Sequence, residues 1–347
     1  MRINVRVWVA GFLYYSCLVA FFRWLMRRSG PRLIILNYHH SKGDLRHHLL
    51  YLRRHYRMLH LDEALGELYS ERKNGQGNQR DRRDRRTPLV LTFDDGYHDN
   101  YTHAFKFANE LQVPITIFLI PGYMDSRDFF WWGEGERLVK CAQVDQIILD
   151  ERVYSLGQTA DRSALTKVID SRLRFARSVA EREAFLKMVR SLLAVQPAND
   201  TMGHDGDVPL SWAEAMKMQE SGWVSFGAHT MHHPVLAYLD DPTEVRSEIL
   251  SCREVLEQRL GKSIRTFAYP IGKTEHISDD AVDAVKESGY SWAVTTTRGV
   301  ATPASDPYRL ERVLGDASRH WLLMAAETSG LWHKLSPLWK PFIKDDE

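Results

Sequence analysis

Residues 89–97 read LVLTFDDGY, an apolar run that stops at two adjacent carboxylates and a glycine. Short apolar or β-branched runs bounded by turn residues are the pattern of strands. The same pattern recurs at Leu33–Tyr38, Ile115–Ile120, Trp223–His229, Ile264–Tyr269 and Ser291–Thr297, and Tyr308–Leu314 is a candidate last strand. Helical segments alternate with these. Ser211 and Glu214 form a capping box before a helix that ends near Gly222. Asp241-Pro242 opens another, which carries Val245, Ile249, Cys252 and Leu260 at helical spacing and closes at Gly261. Ser278 and Gly289 bracket a third. Strand–helix alternation predicts an α/β fold with a largely parallel sheet, and six or more units favour a barrel over an open sheet.

The chain has 347 residues, enough for one large or two modest domains at about 150 residues each. Lys and Arg total 46 against 45 Asp and Glu, so no strongly basic surface is available and no nucleic-acid partner is expected. Ordinary values of 44% hydrophobic and 26% charged residues exclude wholesale disorder. Cys17, Cys141 and Cys252 are too few and scattered for a disulfide framework or a thiolate zinc site.

One apolar stretch is long. Val7 to Phe22 carries no formal charge, with Arg2 and Arg6 before it and Arg23, Arg27 and Arg28 after. Counted on to Met26, with Arg23 snorkelling, it approaches the roughly 20 residues that a spanning helix needs. Residues 1–30 are therefore expected to form a retained membrane anchor, ahead of a helix lying in the membrane surface or a buried or cleaved segment. Both flanks are basic, so no orientation can be read. Residues 31–320 form the main domain, with a helical insertion at about 125–209 that serves as a lid or substrate wall, and 321–347 form a tail. Lys73 to Arg86 reads as a solvated loop.

Asp94 and Asp95 close a strand, which in a β/α barrel is where catalytic groups collect. Taken alone, Asp-Asp-Gly is more often a turn or a helix cap than a catalytic pair. His229-Thr230-Met231-His232-His233-Pro234 follows a different strand end, and its i,i+4 imidazoles are spaced to share a divalent ion. One carboxylate with two imidazoles makes a three-ligand site with open positions, the pattern of hydrolytic metal.

These residues resemble the polysaccharide deacetylases of the NodB-like group, carbohydrate esterase family four. Thr92-Phe93-Asp94-Asp95-Gly96 matches the first family motif and His229-Thr230-x-x-His233 the second. Phe267-Ala268-Tyr269-Pro270-Ile271-Gly272 resembles the third motif of exopolysaccharide-type members, as does Gly289-Tyr290 with the Ala293–Thr296 run. The resemblance spans about residues 32–315 and implies a distorted (β/α) barrel of about seven strands with one divalent metal, zinc foremost, then Co2+, Ni2+ or Fe2+. It implies Asp95, His229 and His233 as ligands and Asp94 as the general base for the attacking water. It also implies the backbone N–H of Ile271 as an oxyanion donor, with Tyr97 and Pro270 nearby, and His232 turned away. The implied substrate is an N-acetylated polysaccharide or oligosaccharide, and the implied location is a bacterial cell envelope.

Two departures stand out. Many members carry an Arg in the third motif, where this chain has Ala268, and Arg309 or Arg312 is the expected replacement. The usual carboxyl-terminal Leu-x-His is missing. Ile35–His40 instead resembles the first strand of members whose motifs are circularly permuted, which makes His39 the expected general acid, with His40 next. A closed barrel brings first and last strands together, so either end can deliver the group. Trp131 and Trp132 are expected to pack under the insertion, with stacking on sugar rings as the lesser role. Competing readings are a deacetylase or deformylase of a lipid-linked sugar and an inactive carbohydrate-binding barrel. Oligomeric state is not legible.

Overall fold

The computed structural model describes residues 5–74, 84–195 and 207–331. Its strands are β1 (Ile34–Tyr38), β2 (Arg57–Met58), β3 (Pro88–Phe93), β4 (Ile115–Leu119), β5 (Gln146–Leu149), β6 (Arg152–Ser155), β7 (Val224–Ala228), β8 (Thr266–Ala268), β9 (Trp292–Arg298) and β10 (Leu310–Leu314). All seven strands read from the sequence are present, within two residues at each end. They form a closed parallel ring in the order β1-β10-β9-β8-β7-β4-β3, completed by the pairing of β3 with β1. Closure leaves the ring without a free edge. The two-residue β2 pairs with the start of β3.

Because side chains alternate along a strand, the ring has two apolar faces. Ile35, Val90, Phe118, Val294 and Leu310 fill the interior together with Leu61, Leu65 and Leu68 of the helix Leu61–Asn74. Leu36, Leu91, Ile117, Phe267 and Ala293 belong to the larger cluster shared with the outer helices. Each of these Val, Leu, Ile and Phe side chains contributes on the order of 1.5–3 kcal/mol. The capping signals hold: the Ser211–Glu214 box is complete, Asp241 caps Pro242–Leu260, and Gly261 ends that helix in the left-handed region.

Three regions differ from expectation. The insertion has the helices Trp131–Cys141, Thr159–Arg174 and Val179–Leu192, but also the antiparallel hairpin β5–β6. Asp150 and Glu151 turn that hairpin at positive φ without the Asn-Gly signature that marks such turns, so the sequence gives no warning. The apolar N-terminal stretch is two helices, α1 (Val5–Tyr15) and α2 (Leu18–Arg28), bent by 67° at a break that holds Cys17. No single described helix is long and apolar enough to cross a membrane; the bent pair passes that test only together. The expected tail begins with the helix Trp321–Thr328, capped by His320 and packed on α1. Tyr14 meets Trp321 edge-on at 5.0 Å, and Arg23 donates to Tyr51 Oη at 2.8 Å. Most of the Lys73–Arg86 loop, residues 196–206 and the end of the chain lie outside the described residues.

Candidate active site

The parallel ring sends all its carboxyl ends to one rim, where a cleft of about 720 Å³ is lined by His39, Asp94, Asp95, His229, His233 and Ile271. In a regular strand Asp94 and Asp95 would point apart. Here Asp95 (φ 70°) and Gly96 (φ 67°) turn the chain, and both carboxylates reach the cleft. Gly96 is required twice over, since a Cβ there would also lie 2.7 Å from Leu119 Cδ2.

Asp94 is held from across the barrel. Arg312, on β10, donates from Nη1 to Oδ1 at 2.8 Å and from Nη2 to Oδ2 at 2.7 Å. Its Nε donates to the Thr295 carbonyl at 2.6 Å and Nη1 to Thr92 Oγ1 at 3.1 Å. Arg312 is 1% exposed and Asp94 2%, so the bidentate pair is dry. Burial alone would raise the Asp94 pKa, but the charge and hydrogen bonds of Arg312 outweigh it and hold the carboxyl below its ordinary value. Arg309, the other guanidinium considered, pairs with Asp279 and Asp306 at the surface. Ala268 offers only its carbonyl to the site.

That carbonyl sets the neighbouring cluster. His229 Nδ1 lies 2.7 Å from Ala268 O, which fixes Nδ1–H as the donor and turns the Nε2 lone pair to the cleft. Nε2 is 3.3 Å from Asp95 Oδ1, and His233 Nε2 is 3.5 Å from the same oxygen. Ligand atoms of the three residues all fall within 4.8 Å of one another. Asp95 Oδ1 is buried and makes no hydrogen bond. A buried anionic oxygen facing imidazole lone pairs is costly unless a cation lies between them, so these residues fit a divalent ion. Burial lowers the His229 pKa, yet Asp95 and Asp94 more than offset it, so the local field favours positive charge there. His233 is pushed down to about 3, first by burial and then by His229, and stays neutral as a ligand must. Asp95 falls below the ordinary carboxylate value despite its burial, through His229 and His233.

The loops that carry these groups are strained. Thr230 (φ 63°), His233 (55°) and Ile271 (60°) are all left-handed without being glycine. His232 faces the other way, with Nδ1 2.6 Å from Glu248 Oε1. The insertion clamps the same loop: buried Arg182 donates to the His232 carbonyl at 2.9 Å, and Trp131 Nε1 to that of His233 at 2.9 Å. Neither Arg182 nor Glu248 was singled out from the sequence, because nothing local marks a contact made 50 or 16 residues away.

His39 reaches the rim 42% exposed, with Nε2 4.0 Å from Asp94 Oδ2, and its carbonyl accepts from Asn100 Nδ2 at 2.9 Å. His40 lies over Tyr97, with ring centres 4.1 Å apart, and its Nδ1 is 3.5 Å from the buried Asp99. The hydrogen bond that the His40 ring donates to the Asp99 carboxylate raises the His40 pKa. Trp132 donates from Nε1 to Tyr97 Oη at 2.6 Å and lies 4.4 Å from the His233 ring, so Tyr97, Trp131 and Trp132 form one wall of the cleft. Pro270 is buried and does not line it. Lys42, Arg174 and Asp316 also line the cleft, and sequence reasoning named none of them; Thr296, the end of the Ala293–Thr296 run, lines it too.

Together these features define a closed parallel (β/α) barrel with a His–His–Asp cluster and a second, arginine-held carboxylate at the carboxyl ends of its strands. The polysaccharide deacetylase family model matches residues 81–293, and the chain belongs to that family. Among curated proteins, it is 31% identical over 112 residues to the poly-beta-1,6-N-acetyl-D-glucosamine N-deacetylase of Staphylococcus epidermidis. That match covers 30% of this chain and only 38% of the relative. Among solved structures, IcaB from Ammonifex degensii aligns with a TM-score of 0.54 at 18% identity, over 86% of this chain and 98% of that one. The Streptococcus pyogenes deacetylase PplD, solved with acetate, aligns with a TM-score of 0.53 at 16% identity, over 85% and 97%. At these identities the two structures support the fold alone.

Proposed function

We propose that this protein is a metal-dependent hydrolase that removes N-acetyl groups from N-acetylhexosamine units of a cell-envelope or extracellular polysaccharide. Family membership and the name of the Staphylococcus epidermidis relative support the reading. The observation that carries it is the contrast between neighbouring carboxylates: Asp94 is neutralised and held by a guanidinium, while Asp95 presents an unpartnered buried oxygen to two imidazoles. Asp95, His229 and His233 would hold the ion, and their mixed nitrogen and oxygen donors suit zinc, with Co2+, Ni2+ or Fe2+ as alternatives. When bound, it supplies Lewis acidity that activates water and polarises a carbonyl. Asp94, kept ionised by Arg312, takes the proton of the attacking water. The Ile271 N–H donates to the developing oxyanion, and His39 protonates the leaving amine. Tyr97 and Trp132 bound the space for the sugar.

The test is acetate release from a panel of N-acetylated oligosaccharides and lipid-linked sugars, before and after chelation. We expect acetate from the oligosaccharides, loss on chelation and recovery with zinc. Release from the lipid-linked sugars alone would reassign the substrate, and no release from a metal-loaded chain would leave an inert barrel. His229→Ala should lose most bound metal while the fold persists, read by elemental analysis and circular dichroism. Near-stoichiometric metal in that variant would overturn the ligand assignment. His39→Ala should keep the metal but lose the high-pH limb of the pH–rate profile, because a protonated imidazole is what the amine requires. It should recover better on an aryl ester, whose leaving group needs no proton. Unchanged amide hydrolysis would pass the role to His40.

A further inference from the structure

The N-terminal helices lay one face on the domain and leave the other bare. Ala10, Leu13 and Val19 are buried, whereas Trp8, Phe12 and Tyr15 are 71%, 70% and 75% exposed. Phe21, Trp24 and Leu25 of α2 are exposed as well, and the Phe21 and Trp24 rings stack at 5.9 Å. Of the 17 large hydrophobic side chains exposed among the described residues, 8 fall between Val5 and Leu25. Singly scattered apolar residues need no explanation, but this concentration on two short helices does.

That face runs into a cavity of about 380 Å³ where α2 ends. Arg27, Arg28, Arg32, Arg57, Arg85 and Arg86 line it, and Glu67 is its only acid. Glu67 pairs with Arg57, and Asp84 with Arg86. Among the described residues no carboxylate pairs with Arg27, Arg28, Arg32 or Arg85. The Arg28 guanidinium lies 4.2 Å over Trp24, which joins the basic cavity to the aromatic face. Clustered arginines of this kind repel one another and call for an anion; aromatic side chains beside them are the composition of a membrane interface.

We propose that α1 and α2 lie in the surface of a bilayer, with the aromatic face at the headgroup boundary and the arginine cavity around the phosphate of an anionic phospholipid. Each helix has 11 residues, roughly 16 Å, about half the hydrocarbon thickness. Straightening the pair to span would tear Tyr14 from Trp321 and Arg23 from Tyr51. A second copy of the chain is a poorer occupant, since a two-fold interface would set the arginines against each other. Leu33 and Pro88, at the amino ends of β1 and β3, line the cavity, while His39 and Asp94 follow the carboxyl ends of the same strands. The bilayer thus sits at the opposite end of the barrel from the cleft, which stays open to a polymer in water.

The full chain should be titrated with phosphatidylcholine vesicles and with phosphatidylcholine–phosphatidylglycerol vesicles. Binding to the anionic vesicles should be at least about tenfold tighter, and salt should weaken it. The triple variant Trp8→Ser, Phe12→Ser, Trp24→Ser changes only exposed positions and should lose binding to both. Arg27→Gln with Arg28→Gln and Arg85→Gln should lose the anionic preference alone. Equal affinity for both vesicles, or arginine variants that bind like the parent, would overturn the proposal. So would Val5→Cys and Arg28→Cys thiols labelled from opposite sides of the bilayer, the mark of a span, or a vesicle-free dimer that the aromatic variant dissolves.

Discussion

Asp94→Asn is expected to lower kcat for deacetylation by about 10²–10⁴-fold while bound metal stays at the parent level. The carboxylate accepts two hydrogen bonds from Arg312, yet each of its oxygens keeps a second lone pair, and Oδ2 faces His39 at 4.0 Å. It therefore still has a basic site turned to the cleft. Asp95→Asn should behave otherwise, losing metal and rate together, because its Oδ1 is the atom that both imidazoles face. Asparagine at 94 also deprives a buried guanidinium of its counter-charge, which costs about 3–5 kcal/mol when one partner of a buried pair goes. A lowered Tm with intact secondary structure is part of the expected result. Metal content by elemental analysis and initial rates of acetate release decide the matter. Equal metal loss in the two variants would show that the adjacent carboxylates have been given each other's roles.

The barrel was legible because its strands are buried on both faces and short, so each reads as an unbroken apolar run stopped by turn formers. Leu89–Phe93 and Ile115–Leu119 needed nothing else. Site loops were legible for a related reason: the reactive residues sit directly after such runs, and chain order then fixes the rim they share. Long-range choices were not. Arg309 and Arg312 are three residues apart, one just before the last strand and one within it, and local pattern cannot tell which guanidinium crosses the barrel and which faces water. Only the pairing of β10 with β1 and β9 settles it. Arg182, Asp99 and Glu248 are ordinary charges in sequence, and they matter only because folding brings backbone and imidazole groups of the site to them.

The N-terminal stretch shows another limit. Counting apolar residues treats Tyr14 and Trp8 alike, although one packs on Trp321 and the other faces outward. Hydropathy has no term for a partner that lies some 300 residues away. The break at Cys17, held left-handed at φ 65°, is equally silent, since neither glycine nor proline marks it.

Arg312→Met offers the second large effect, and its sign follows from the pair. In the parent, burial pushes the Asp94 pKa up and Arg312 more than cancels it, so the base is ionised at any pH above the ordinary carboxylate range. A depressed carboxyl contributes stability above its unfolded value of about 3.9, and that contribution is lost as pH falls through the folded value. Methionine fills much of the same space without charge, so burial acts unopposed and the Asp94 pKa rises. The acid limb of the kcat profile should move to higher pH, with activity low near neutrality and partly regained as pH increases. Stability should fall by about 3–5 kcal/mol where Asp94 stays charged, and by less at low pH, where it takes up a proton. Arg312→Lys keeps the charge but not the bidentate geometry and should lie between. Arg309→Met is the control: its exposed pairs with Asp279 and Asp306 are worth at most about 1 kcal/mol, and its pH profile should not move. An Arg312→Met enzyme with the parent's acid limb would mean that Arg312 braces the barrel without tuning the base.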